Sequence, residues 1–203
     1  MEALTHQDMS HTFITRLGRA IWPHLKSGKQ PRHVPTVFDA SWIGSLPLPL
    51  KAGAQPVALI DGLDFHREQD EKVVTAAYQA RPRTRAYESV NVHSDGWVSA
   101  ASLHLAGLLR RHVVCTLYES RAGDRTLGAH DDEWLGVIVQ MHGAKRWELW
   151  PERTGAGHEV LTRAGDVLVL PQGVTHAVST PEYSVHLVFA VTDERIGLQR
   201  PAC

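Results

Sequence analysis

Between residues 113 and 191 the sequence repeats one texture, short apolar runs separated by turn residues. The runs are Val113–Tyr118, Leu135–Met141, Arg146–Trp150, Glu159–Leu161, Val167–Leu170, Thr175–Val178 and Val185–Val191. Each is too short for a stable helix and most are rich in Val and Leu, so they read as strands. Strands following one another so closely must cover their own edges, which leaves a sandwich or small barrel as the compact solution. Helical periodicity lies before this region, so the expected class is α+β, mostly β, with N-terminal helices.

Ile14, Leu17 and Ile21 recur at helical spacing, which predicts a helix over 10–22 with Ser10 as N-cap and Pro23 as its stop. Residues 24–56 are rich in Pro and Gly and read as an irregular wrap, with Trp42 and Ile43 tucked into a core. Val57–Ile60 reads as a strand. Asp64 is expected to cap a helix reaching about Ala80, with Val73, Val74 and Ala77 inward. Arg81, Arg83 and Arg85 read as a solvated turn, with anion binding as the alternative. A second helix is expected over Val98–Leu108, ended by Arg110 and Arg111. The expected organisation is one domain, with a helix and wrap over 1–56 and the β-rich domain over 57–203.

The 203 residues allow one domain, at about 150 residues per domain. A chain with 43% hydrophobic and 21% charged residues buries enough to fold, which excludes disorder. The 21 basic residues balance 22 acidic ones, which speaks against nucleic acid as the main partner. Cys115 and Cys203 are too few and too far apart for a disulfide framework. No apolar run is long enough for a membrane span, and Glu2, His6 and Asp8 stand where a signal peptide would be apolar. The expected location is the cytoplasm, without membrane contact. Thirteen histidines turn attention to metal binding.

His130 and Asp132 are two apart and share a face of an extended chain. A third ligand is framed by Gly165-Asp166, an apolar strand, the turn Pro171-Gln172-Gly173, and then His176. Two histidines and one carboxylate on one face leave open positions on a six-coordinate ion, the arrangement of non-haem Fe(II) oxygenases. His142-Gly143-Ala144-Lys145 reads as a two-residue hairpin loop between two strands. Counting by twos from Asp132 puts 134, 136, 138, 140 and 142 on the metal face, and Lys145, opposite His142, with them. A straight strand would leave Lys145 roughly 30 Å from the ion, so barrel curvature or a bend, for which Gly136 is a candidate, must bring it back. A lysine facing a barrel interior needs an anion.

The stretch Gly128 to Trp150 resembles the Jumonji C group of iron(II)/2-oxoglutarate oxygenases, particularly its cupin-like hydroxylase branch. The likeness lies in the H-x-D of His130 and Asp132, Gln140, the run Gly143 to Trp147, and Lys145. Gly165 to His176 resembles the second ligand block of the same group, and Ser184-Val185-His186-Leu187 is similar to a strand of its ribosomal-oxygenase branch. The resemblance implies a double-stranded β-helix (jelly-roll, cupin-like) core. It implies Fe(II) on His130, Asp132 and His176, with 2-oxoglutarate and O₂ as cosubstrates. Lys145 would hold the distal carboxylate, and Gln140, Tyr118, Ser184 and His186 would contact the cosubstrate. No catalytic residue beyond the metal ligands is implied.

The expected activity is that of a dioxygenase hydroxylating a C–H bond. The chain stops twelve residues after Val191, where ribosomal members continue. A small molecule, amino acid or peptide is therefore the expected substrate, and protein hydroxylation or demethylation the alternative within the family. The competing classes are a non-enzymatic cupin-like metal-binding module and a Zn or Mn enzyme. The stripe of Ile14, Leu17 and Ile21 needs cover, from the barrel or from a second subunit, and a homodimer is expected.

Overall fold

The computed structural model describes residues 5–25, 30–50, 56–62, 64–94, 96–151 and 155–195. In chain order come α1 (His6–Ile21), β1 (Arg32–Val34), α2 (Ala40–Ser45), β2 (Val57–Asp61), β3 (Asp64–Glu68), α3 (Glu71–Ala80), β4 (Thr84–Tyr87), α4 (Val90–His93) and α5 (Trp97–Leu109). The β-rich half follows as β5 (Arg111–Ser120), β6 (Leu135–Trp150), β7 (His158–Arg163), β8 (Val167–Leu170), β9 (Thr175–Ser179) and β10 (Ser184–Arg195). No described helix is long and apolar enough to cross a membrane. Cys203 lies outside the described residues, and Cys115 is a buried free thiol.

A large antiparallel sheet runs β1-β8-β6-β10-β5-β4-β2-β3. A smaller one is formed by β7 and β9 on either side of the second half of β6. β6 therefore belongs to both sheets and joins them into the cupin-like β-sandwich. The large sheet is covered on its outer face by α1 and α5. Along β10, Val185, Leu187, Phe189 and Val191 join the helix-facing core, while His186 and Val188 line the space between the sheets. Both faces being buried, the strand reads as an apolar run rather than an alternation.

The hairpin expected at His142–Lys145 does not exist. Leu135–Met141 and Arg146–Trp150 are one strand of 16 residues. The chain pairs with β8 and β10 up to Gly143, then with β7 and β9. Gly143, at φ 60°, permits the change, and a Cβ there would sit 1.7 Å from the Tyr183 carbonyl oxygen. The bend is thus at Gly143 and not at Gly136. Val185 pairs with His142 but His186 pairs with Gln140, so Met141 is an extra residue. This bulge reverses the parity of the strand. Ile138 and Gln140 face inward before it; Lys145, Trp147 and Leu149 are buried after it, with Arg146 and Glu148 exposed.

Two helix starts also differ from the expectation. α1 begins four residues early because Thr5 and Asp8 form a reciprocal capping box, while Ser10 is buried. Asp64 opens β3 rather than a helix: Asp61-Gly62 makes the turn, and Ile60 pairs with Phe65. Asp70 caps α3 instead, which buries Val74 but leaves Val73 exposed. Of the arginine stretch, Arg85 lies on β4, which pairs with β2 and β5, while Arg81 and Arg83 precede the strand.

The Pro/Gly-rich wrap holds β1 and α2, with Ile43 buried and Trp42 half-buried. Ile14, Leu17 and Ile21 pack into the same core as Phe38, Ile43, Val137 and Phe189, so the chain itself covers the stripe that was expected to seek a second subunit. Phe13 stacks on Phe38 at 5.0 Å and meets Trp97 and Phe189.

Candidate metal centre

His130 and His176 are an antiparallel bridge pair. Each donates its backbone N–H to the other's carbonyl, at 3.0 and 2.8 Å. Their rings therefore emerge side by side, with centroids 4.2 Å apart. The Gly173 N–H donates to the Asp132 carbonyl at 2.9 Å, which ties the Pro171–Gly173 turn to the His130–Asp132 segment. One ligand-type atom from each of His130, Asp132 and His176 lies within 4.8 Å of the others.

The ring nitrogens are already assigned by their surroundings. His130 Nδ1 lies 2.8 Å from the Gly128 carbonyl, and His176 Nδ1 lies 3.1 Å from the Val174 carbonyl. A carbonyl accepts, so both Nδ1 atoms carry hydrogen, and the Nε2 atoms are the ones turned toward a ligand site. His176 Nε2 lies 3.7 Å from Asp132 Oδ2. Burial pulls the His176 imidazole down to about 4, so it is neutral and ready to ligate. Burial raises the Asp132 carboxyl, against the opposing pull of His130. A partly buried carboxylate beside two imidazole Nε2 atoms is a donor set that a divalent ion would fit, in the facial triad geometry.

The triad lines a cavity of about 230 Å³ between the two sheets. Lys145 lines it too, 1% exposed. Its ammonium donates to Ser120 Oγ at 2.8 Å and to Thr180 Oγ1 at 2.6 Å. Thr84 and Ser120 hydroxyls are 2.9 Å apart and extend that shell. No carboxylate of the described residues lies within ion-pair distance of Lys145. Burial therefore draws it down to about 7, with Asp124 acting weakly in the other direction.

His186 and Tyr118 also line the cavity, stacked at 5.0 Å with their planes 4° apart. Burial, and then the charge of Lys145, hold His186 well below the ordinary imidazole value. Its Nδ1 is buried without a partner. Burial pushes the Tyr118 phenol up. Gln140 and Ser184 are placed differently. Gln140 Nε2 donates to Ser184 Oγ at 2.8 Å and to the His142 carbonyl at 2.8 Å, and its Oε1 accepts from Thr162. These bonds span the bulge of β6, and neither side chain is among those lining the cavity.

Sequence reasoning missed Ser120 and Thr180, which hold the Lys145 ammonium, and Thr84, Trp147 and Phe65, which line the cavity; Trp134 lines it too, on the face that the count by twos assigns to it. Phe65 was hidden by the helix expected from Asp64. Thr180 carries no local signal, since it reaches Lys145 only through the fold.

No family model matches the sequence. Ribosomal oxygenase 2 of Mus musculus is 30% identical over 96 residues, covering 38% of this chain and 21% of that protein. The Rattus norvegicus protein of the same name is 33% identical over 96 residues, with the same coverage. The ribosomal oxygenase YcfD of Escherichia coli superposes with a TM-score of 0.67 at 16% identity, covering 86% of this chain and 52% of the other. YcfD in complex with cobalt and 2-oxoglutarate superposes at 0.63, again at 16% identity, over 86% of this chain and 52% of the other. Part of the chain is thus similar to ribosomal oxygenases in sequence, and its fold is that of YcfD. The chain spans about a fifth of the length of the curated relatives it matches.

Proposed function

We propose that this chain is an Fe(II)- and 2-oxoglutarate-dependent dioxygenase that hydroxylates a C–H bond of a peptide or small molecule. One observation carries the reading: a His-Asp-His triad and a buried lysine without a carboxylate partner line the same cavity. The similarity to a structure that holds cobalt and 2-oxoglutarate supports it. The name shared by the curated relatives favours a peptide segment of a protein over a free metabolite as substrate.

His130, Asp132 and His176 would hold Fe(II), and their one-sided arrangement keeps positions open for ligands. Lys145 would receive the distal carboxylate of 2-oxoglutarate, with the Ser120 and Thr180 hydroxyls holding the ammonium in place. His186 offers its unpartnered Nδ1 to the same ligand, and Tyr118 fixes the His186 ring by stacking. Gln140 and Ser184 position Lys145 by pinning the bulge of β6. The bound metal with 2-oxoglutarate and O₂ supplies the oxidation, which yields succinate, CO₂ and a hydroxylated product. The apolar walls exclude water from it.

Anaerobic addition of Fe(II) and then 2-oxoglutarate is expected to produce the visible charge-transfer absorbance of a chelated keto acid. Admission of O₂ is expected to yield succinate. Metal binding without that absorbance would leave a metal-binding module, and retention of zinc alone would point to a different enzyme class.

A further inference from the structure

We infer that the group presented to the metal is uncharged and apolar, a hydrocarbon side chain of leucine or phenylalanine type, and that Phe65 is the residue that selects it. The inference rests on the oxygenase reading and names the substrate class of that same cavity. Away from the triad and Lys145, the walls are chiefly apolar, including Ile60, Phe65, Leu127, Trp134, Leu170 and Val178. Thr126 adds a neutral hydroxyl.

Charge decides against a cationic target. Among the described residues, Asp132 is the only carboxylate that lines the cavity, and it belongs to the triad. Nearby carboxylates are engaged elsewhere: Asp61 with Arg81 and Arg125, Glu119 with Arg85, and Asp124 with the Tyr78 hydroxyl and the Arg121 N–H. Asp131 and Glu133 are exposed and are not part of the cavity lining, so they bear on flanking groups rather than the reacting one. An entering ammonium or guanidinium would lose its water, find no free anion and face Lys145. An anionic target would compete with the cosubstrate for that lysine. A cavity of about 230 Å³ that must also hold 2-oxoglutarate leaves room for one modest side chain.

Phe65 stands out because nothing structural requires it. It sits on the edge strand β3, 41% exposed, directly across from Ile60 in the β2–β3 pairing. Opposed residues of an antiparallel pair share a face, so both rise toward the cavity. The guanidinium of Arg67 lies 5.8 Å from its ring. An exposed aromatic ring at the wall of a metal cavity is a contact waiting for an apolar partner.

The test uses the full chain loaded with Mn(II), a paramagnetic ion that accepts the same ligands, and 2-oxoglutarate. Loading is measured first, by electron paramagnetic resonance. The probes are N-acetyl amides of leucine, phenylalanine, lysine and arginine, and the readout is paramagnetic broadening of their side-chain protons. The leucine and phenylalanine amides are expected to bind at least about tenfold tighter than the cationic pair, a difference of about 1.4 kcal/mol. Phe65→Asp, on an exposed edge, is expected to invert that preference. Equal or stronger broadening of the lysine or arginine amide in the unaltered chain overturns the inference, and so does absence of broadening for every amide on the loaded protein. Failure to load Mn(II) or 2-oxoglutarate overturns the oxygenase reading itself, and is seen before any amide is added.

Discussion

Lys145 is the residue whose state depends most on what shares its cavity. Its partners are hydroxyls, which satisfy its hydrogens but not its charge. Its value falls from 10.5 to about 7, so between those limits the unfolded chain binds a proton that the folded chain does not. Stability contributed by this group therefore rises with pH across that window, and the cost of burying the charge is fully present below about pH 7. A bound dicarboxylate reverses the preference by stabilising the ammonium. Affinity for 2-oxoglutarate is expected to be highest below about pH 7 and to fall by up to tenfold per unit above it. Lys145→Ala is expected to weaken 2-oxoglutarate binding by roughly 10- to 150-fold and to flatten that pH dependence. An anaerobic titration following the charge-transfer absorbance at several pH values measures both. Fe(II) affinity should barely move, because Lys145 is not one of the triad. Asp132→Ala gives the complementary outcome. At a metal concentration 100 times the dissociation constant, the unaltered protein gains about 2.7 kcal/mol. In a chain of this size that is a rise in Tm of roughly 5–11 °C. The variant is expected to show no rise by scanning calorimetry.

At the scale of the element, β6 does the joining. Its first half belongs to the large sheet, its second half to the small one, and Gly143 stands where the partners change. Gly143→Ala places a side chain in the left-handed region and against the Tyr183 carbonyl. The conformation alone costs about 1–2 kcal/mol, and relieving the clash displaces β10 from β6. A loss of at least about 2 kcal/mol is expected, read as a Tm lowered by about 4–8 °C or more, together with weakened 2-oxoglutarate binding because Lys145 lies two residues on. The same strand shows what the sequence could and could not disclose. The H-x-D spacing and the Gly-Asp to Pro-Gly-x-x-His frame are local, so the triad was legible. The inward face of Lys145 was also foreseen, but through a hairpin that does not exist. A turn signal, His142-Gly143-Ala144, is equally consistent with a bulge followed by a positive-φ glycine, and only pairing with β10 decides between them. β3 and β4 were unreadable for a related reason. Their short polar runs become strands only because β2 and β5 offer them partners.

At the scale of the whole molecule, the N-terminal segment and the β-sandwich share one core. Phe13 is 0% exposed and touches Phe38 from the wrap, Trp97 from α5 and Phe189 from β10. Asp166 binds the wrap from the other side, accepting from the Thr36 N–H and lying 2.9 Å from His33 Nε2. That carboxylate belongs to the turn preceding β8, the strand that leads to His176. The helix and wrap are thus the cover without which the outer face of the large sheet would meet water, and the ligand frame is fastened to them. Removing the Phe13 ring is expected to cost about 3–5 kcal/mol, as for a large-to-small change in a filled core. With roughly 2–4 °C per kcal/mol for a chain of this size, Phe13→Ala should lower Tm by about 6–20 °C. The decisive feature is the shape of the transition. If one core holds the molecule, calorimetry shows a single transition moved as a whole, and the Mn(II)-induced rise in Tm survives on top of it because no metal ligand is touched. A transition that splits, with the metal-stabilised part staying at its original temperature, would show that the sandwich folds without its N-terminal cover.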